Sequence, residues 1–120
     1  MENRKVYKLQ TKAGLTICEK MVVAGDSLSR MKGLMFSEEL PDCDGLLLNP
    51  GNSIHTFFMR YSLDVLFLDK KFKVVKVIRD LRPWKLTWIY FRSRQVLEMK
   101  SGSLNKEIKA GDELEAICIN

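Results

Sequence analysis

Apolar and polar residues alternate along much of this chain with a period of two, the pattern that strands produce when one face is buried. The alternation begins at residues 6–10, breaks at Lys12-Ala13-Gly14 and resumes over residues 15–23. A short break that contains glycine is typical of a turn between paired strands. The pattern therefore predicts a hairpin at the start of the chain.

The middle of the chain carries a denser run of aliphatic, β-branched and aromatic residues. Residues 63–68 form this run, Asp69-Lys70-Lys71 ends it, and residues 72–78 supply a second apolar stretch. Residues of these types favour strands, so the two stretches predict a second hairpin. Further extended pieces are predicted at residues 95–99, near Glu107-Ile108, and at residues 113–119.

One segment has helical features. Asp26 can cap a turn that begins at Ser27, and Gly33 can take the left-handed conformation that ends it. Many short strands with little helix indicate a mainly β fold. We predict an antiparallel β-sandwich or a partly closed, jelly-roll-like barrel with one short helix near residues 27–32.

Length and composition add an ordinary globular background. The chain has 120 residues, of which 46% are hydrophobic and 29% charged, so residues 1–120 are predicted to form a single domain. The start has no apolar segment typical of a secretory signal, and no apolar run is long enough to span a membrane. Three widely spaced cysteines indicate reduced thiols. We expect a cytoplasmic monomer without a membrane partner.

The most unusual stretch is residues 53–69, where polar groups interrupt an apolar run. The only histidine, His55, lies within ten residues of Arg60 and Asp64. Histidine can act as a base or metal ligand, and arginine can clamp a carboxylate or phosphate. The predicted ligand-binding residues are Arg30, His55, Thr56, Met59, Arg60, Asp64 and Trp84.

Each of these residues also has a structural interpretation. A lone histidine without a second histidine or cysteine at ligand spacing is more often hydrogen-bonded than metal-bound, so no metal or cofactor is expected. Asp64 stands among apolar residues and needs a partner, for which Arg30 or Arg60 are the candidates. Met59 can be a core filler, and Trp84 can be a core residue or a stacking plate.

The charge of the chain is unevenly distributed. Residues 70–100 contain ten lysines or arginines and two acids, whereas residues 37–69 contain one basic residue and six acids. Basic residues interleaved with aromatics can bind single-stranded nucleic acid, although a solvated sheet face explains them equally simply. The candidate nucleic-acid contacts are Lys70, Lys71, Lys73, Lys76, Arg79, Arg82, Lys85, Arg92 and Arg94.

Several blocks of the sequence resemble domain-of-unknown-function family 192. The resemblance lies in residues 30–36, Asp44-Gly45-Leu46-Leu47-Leu48, residues 54–60 and residues 63–69, and continues through Leu81-Arg82-Pro83-Trp84-Lys85 and Val96-Leu97-Glu98. It implies a compact, mainly β domain and no established biochemical role. Many members carry tryptophan and a following asparagine where this chain has Phe57-Phe58-Met59-Arg60-Tyr61, so it resembles a histidine-threonine variant.

These observations predict a binding module. The ligand is expected to be a small anionic or sugar-like molecule, held in a polar cleft between Arg30, residues 55–60 and Trp84. A nucleic-acid-binding accessory module that uses residues 70–100 is the first alternative. An enzyme of unknown reaction, with His55 and Asp64 as acid-base groups, is the second.

Overall fold

The computed structural model describes residues 5–23, 43–57 and 59–120, which form strands, turns and loops. The short helix predicted near residues 27–32 lies outside these residues. The strands are β1 (Val6–Thr11), β2 (Thr16–Val23), β3 (Gly45–Leu48), β4 (Leu63–Leu68), β5 (Val74–Leu81), β6 (Gln95–Lys100) and β7 (Leu114–Cys118).

All seven strands belong to one curled sheet with the order β5-β4-β6-β3-β2-β1-β7. The two edge strands approach each other at one end, where Lys73 and Glu113 form an isolated bridge. The amide of Val74 donates to the carbonyl of Asp112 at 2.9 Å beside this bridge. The sheet is therefore a half-barrel, which confirms the prediction of a mainly β, partly closed fold.

One strand pair differs from the antiparallel pairing of the rest of the sheet. β2 and β3 run parallel, with Met21 opposite Gly45, whereas every other pair is antiparallel. Asp44 fixes the start of β3, because its carboxylate accepts the amides of Glu19 and Lys20 at 2.8 and 2.9 Å. A Cβ at position 45 would lie 2.6 Å from the Cys18 sulfur, so only glycine fits this approach.

The curled sheet buries apolar residues on both faces. Leu66 and Leu97 belong to a cluster on the concave face, together with Leu9 and Leu114 from the outer strands. Phe67 belongs to a second cluster on the opposite face. Every residue of β3 and β4 is buried, which explains why these strands are apolar, apart from Asp64, instead of alternating.

The loop between β6 and β7 differs from the sequence prediction. Glu107-Ile108 forms part of a turn, not a strand, although Ile108 is buried in the concave cluster. The guanidinium of Arg79 holds this loop by donating to four backbone carbonyls, those of Leu104, Asn105, Lys106 and Ile108. Across residues 5–23, 43–57 and 59–120, no helix is long and apolar enough to cross a membrane.

Candidate functional site

Thr56 anchors the long connection between β5 and β6, whose residues 82–94 we call the tryptophan loop. The buried hydroxyl of Thr56 donates to the carbonyl of Arg82 at 2.6 Å and accepts the amide of Lys85 at 2.9 Å. The Thr56 carbonyl accepts the amide of Trp84 at 2.9 Å. Thr56 is therefore a buried structural residue that determines the path of the loop.

Replacing Thr56 by valine keeps the shape of the side chain and removes its hydroxyl. The free energy of unfolding is expected to fall by about 1–3 kcal/mol, because the carbonyl of Arg82 and the amide of Lys85 lose a buried partner. Chemical denaturation measures this loss. Thr56→Ser, which retains the hydroxyl, should cost less than half as much, and equal losses in the two variants would contradict the role of the hydroxyl.

Three rings meet on the surface above this anchor. The ring centroid of Phe57 lies 4.8 Å from that of His55 and 6.0 Å from that of Trp84, with both pairs stacked. The exposed His55 accepts the amide of Phe57 through Nδ1 at 3.3 Å. Trp84 has a φ of 67°, a left-handed backbone conformation that the surrounding hydrogen bonds stabilise. The structure thus connects the rings of His55 and Trp84 through the ring of Phe57.

Asp64 has a structural environment. The side chain is 2% exposed, and one carboxylate oxygen accepts the amide of Asp80 at 2.9 Å. The other oxygen accepts the amides of Gly102 and Leu104 at 2.9 and 3.1 Å. Among the described residues the partners of Asp64 are therefore backbone amides, whereas the sequence predicts an arginine. His55 is exposed, whereas this carboxylate is buried.

The other predicted site residues divide between core and surface. Met59 is buried in the cluster that contains Phe67, whereas Arg60 is exposed. Arg30 lies outside the described residues. Tyr61, next to Arg60, has a buried hydroxyl, and burial followed by the charge of Glu98 raises its pKa to about 12. Tyr61 therefore remains protonated at neutral pH.

A separate cavity opens at one end of the concave face, and none of the predicted site residues that the structure describes lines it. We call it the barrel-mouth cavity; its volume is about 710 Å³, within the range of small-molecule sites. It lies where β1 and β6 begin and β2, β4 and β7 end. Its described lining consists of Tyr7, Met21, Val23, Asn49, Pro50, Lys70, Phe72, Arg94, Gln95 and Ala116.

The wall of the barrel-mouth cavity combines an apolar surface with a small number of polar groups. The carboxamide oxygen of the buried Gln95 accepts the side-chain amide of Asn49 at 3.0 Å, and its nitrogen donates to the carbonyl of Asp69 at 3.1 Å. Lys70 and Arg94 are exposed, and neither forms an ion pair within the described residues. No acidic residue is among the described lining.

Sequence reasoning missed this cavity because its lining comes from separate turns and strand ends. Lys70 appeared only as part of a turn and of a basic segment, and Arg94 only as part of that segment. The available signal was Gln95, a polar residue directly before the apolar pair Val96-Leu97 at the start of β6. The local pattern does not reveal that Gln95 and Asn49 lie together.

Comparison with known proteins agrees with this architecture. Residues 8–116 match the model of DUF192, the family described as "Uncharacterized ACR, COG1430". The chain belongs to this family. The UPF0127 protein PH1112 of Pyrococcus horikoshii is 36% identical over 100 residues, which cover 78% of this chain and 84% of the relative. This family membership confirms the resemblance found in the sequence.

Two solved structures share the fold. A "putative transcription regulator" from Sinorhizobium meliloti 1021 has a TM-score of 0.73 at 23% identity, covering 94% of this chain and 93% of its own. A protein of unknown function from Novosphingobium aromaticivorans DSM 12444 has a TM-score of 0.70 at 22% identity, covering 92% and 83%. At these identities the likeness shows the fold alone.

The region that matches the family contains both candidate surfaces. The Thr56 anchor lies within residues 8–116, and so does every described lining residue of the barrel-mouth cavity except Tyr7. The nine candidate nucleic-acid contacts are divided in the structure, because the guanidinium of Arg79 is bound to carbonyls while Lys70 and Arg94 line the cavity.

Neither a metal-binding cluster nor a reactive buried thiol is found among the described residues. Within them, no group of three or more histidine, cysteine, aspartate or glutamate side chains could hold a metal ion. Burial raises the pKa of the Cys18 thiol far above its usual range, and the carboxylate of Asp44 raises it further. A buried thiol that stays protonated is a poor nucleophile, so Cys18 is a core residue.

Proposed function

We propose that the protein binds a small anionic molecule with an apolar body in the barrel-mouth cavity. The observation that carries the proposal is the presence of two cationic side chains, Lys70 and Arg94, beside a largely apolar wall without a described acid. The proposal keeps the ligand class predicted from the sequence and moves the ligand to another part of the molecule. Membership of an uncharacterised family assigns no ligand of its own.

The apolar part of the cavity suits a ring or a short hydrocarbon chain. Tyr7, Met21 and Phe72 contribute side chains that also pack against the concave cluster, so their positions are supported by the core. Small-molecule sites are usually lined by apolar and aromatic groups with a small number of polar groups that orient the ligand. Asn49 and Gln95 supply such groups, and their mutual hydrogen bond orients both carboxamides.

The charged part favours a carboxylate or a phosphate. The guanidinium of Arg94 can donate two parallel hydrogen bonds to such a group, and the ammonium of Lys70 adds a compact positive charge. Asp69, the nearest acid in sequence to Lys70, is already engaged by the amides of Lys71 and Lys73 at 2.8 and 2.9 Å. Among the described residues Asp69 forms no ion pair with Lys70, so the ammonium of Lys70 can pair with an anion.

Isothermal titration calorimetry with matched probes tests this proposal. Benzoate, hexanoate and phenyl phosphate are compared with benzyl alcohol, hexanol and glucose, so that charge and apolar body are varied separately. We expect at least one anion to bind and its neutral counterpart to bind more weakly. Lys70→Gln/Arg94→Gln should lower the affinity for the anion by about tenfold or more, because charge-assisted hydrogen bonds are lost.

A matched control separates the cavity from the general charge of the protein. Lys71→Gln/Lys76→Gln removes the same charge from exposed positions that do not line the cavity, and should leave the affinity within about twofold. Equal weakening in both double variants would show that only net charge attracts the probe. Absence of heat for every anion, at millimolar probe and protein concentrations, would overturn the proposal.

A further inference from the structure

The tryptophan loop exposes several large apolar side chains, which is unusual for a surface in contact with water. Trp88 and Phe91 are both 81% exposed, and Leu86 is 70% exposed. Ile89 and Trp84 add exposures of 52% and 59%. Single exposed apolar residues are ordinary, but a concentration in one loop marks an interaction surface. This surface is distinct in sequence from most of the lining of the barrel-mouth cavity, with Arg94 the shared residue.

The loop also carries a uniform positive charge. Arg82, Lys85 and Arg92 are exposed and interleaved with the apolar residues, and Arg94 follows them. Residues 81–94 contain no aspartate or glutamate. Such a loop matches a surface that combines an apolar layer with a layer of negative charge. An anionic bilayer has this arrangement, because its charged headgroups cover the acyl chains.

Several hydrogen bonds fix the backbone of the loop while its side chains remain exposed. The amide of Thr87 donates to the carbonyl of Ile54 at 3.0 Å, and the amide of Tyr90 donates to the carbonyl of Asn52 at 2.9 Å. The Tyr90 ring lies 4.6 Å from the ring of the buried Phe67. The loop is thus presented on a rigid support, which lowers the entropy lost on docking.

We infer that the tryptophan loop docks on the surface of an anionic phospholipid membrane. Tryptophan favours the interface between water and lipid, and neighbouring lysine and arginine are attracted to anionic headgroups. Single-stranded nucleic acid would also use rings and cations, but Leu86 and Ile89 offer no flat face on which a base can stack. Docking needs no spanning helix, and it revises the sequence-based expectation that no membrane is involved.

The two tryptophans of the chain, Trp84 and Trp88, both lie in the loop, so tryptophan fluorescence, excited selectively over that of the tyrosines, reports on this surface alone. The full chain is mixed with vesicles of phosphatidylcholine, or of equal parts phosphatidylcholine and phosphatidylglycerol, at low salt. We expect co-sedimentation and a blue shift of the emission with the anionic vesicles only. Lipids that carry a doxyl group on the acyl chain should quench the emission of the wild-type protein.

Three double variants assign the binding to the loop. Leu86→Ser/Phe91→Ser should abolish the blue shift and lower partitioning into the anionic vesicles at least tenfold. Lys85→Gln/Arg92→Gln should lower this partitioning about 30-fold. Ile117→Ser/Ile119→Ser, which changes exposed apolar residues near the β7 edge, should leave partitioning unchanged. Circular dichroism checks that each variant is folded, and doxyl quenching of the wild type requires no variant.

Each other outcome overturns the inference. Absence of vesicle binding and of doxyl quenching would contradict membrane docking. Partitioning of the Leu86→Ser/Phe91→Ser variant equal to that of the wild type would also contradict it, because binding would then depend on charge alone. Tight binding of oligo(dT) without vesicle binding would assign the loop to nucleic acid. A dimer by light scattering that the loop variants dissociate, again without vesicle binding, would assign it to a second copy of the chain.

Discussion

Asp64→Ala is expected to lower the free energy of unfolding by about 3–5 kcal/mol, enough to unfold a marginal domain. The carboxylate accepts three backbone amides, from Asp80, Gly102 and Leu104, and is almost completely buried. Alanine would leave these donors without their acceptor and leave a small void. Chemical denaturation followed by circular dichroism measures the loss.

Asp64→Asn is the informative comparison. An asparagine whose oxygen replaces the atom bonded to Gly102 and Leu104 keeps two of the three hydrogen bonds and should cost about 1–2 kcal/mol. Glu107→Ala, at an exposed position, should cost less than about 0.5 kcal/mol. Faster amide exchange at Gly102 and Leu104 in the alanine variant would locate the effect. A loss equal to that of Glu107→Ala would contradict the structural role of Asp64.

Phe67→Ala is expected to be as damaging, with a loss of about 3–5 kcal/mol from the removal of a fully buried ring. Phe67 belongs to the cluster on the face opposite the barrel-mouth cavity, and its ring contacts that of Tyr90 in the tryptophan loop. The variant should therefore loosen the loop as well as the sheet. Thermal unfolding measures the loss of stability. The tryptophan emission of the folded variant reports the loosening of the loop.

Phe67→Leu keeps an apolar side chain of smaller volume and should cost about 1 kcal/mol. Ile117→Ala, on an exposed position of the outer strand β7, should change stability by less than about 0.5 kcal/mol. If Phe67→Ala destabilised the protein no more than Phe67→Leu, the cluster would be far less tightly packed than the structure shows.

The strands that the sequence predicted best are those whose apolar runs end at clear turns. The run at residues 63–68 ends at Asp69, which forms the turn by accepting the amides of Lys71 and Lys73 through its carboxylate. The parallel pairing of β2 with β3 was not predictable in this way. The four residues of β3 are all buried, so they show no alternation of apolar and polar residues. The pairing of β3 with β2 is determined by the hydrogen bonds of Asp44 and by the close approach of Gly45 to Cys18.

The candidate site shows a similar division. A carboxylate within the apolar run at Asp64 predicted a buried polar interaction, and one is present. Its partners are backbone amides of residues far along the chain. Every residue except proline has such an amide, so the sequence does not show which of them will bind Asp64. The barrel-mouth cavity was hidden for a related reason, since Lys70, Gln95 and Tyr7 meet only after the sheet has curled.

The most direct test of ligand binding in the barrel-mouth cavity is a two-dimensional amide NMR titration of the labelled full chain with benzoate, using benzyl alcohol as the neutral control. The account predicts saturable shifts at Tyr7, Met21, Phe72 and Gln95, larger for benzoate than for the alcohol. Shifts confined to residues 55–60 and Trp84, or no saturable shift with benzoate, hexanoate or phenyl phosphate, would contradict it.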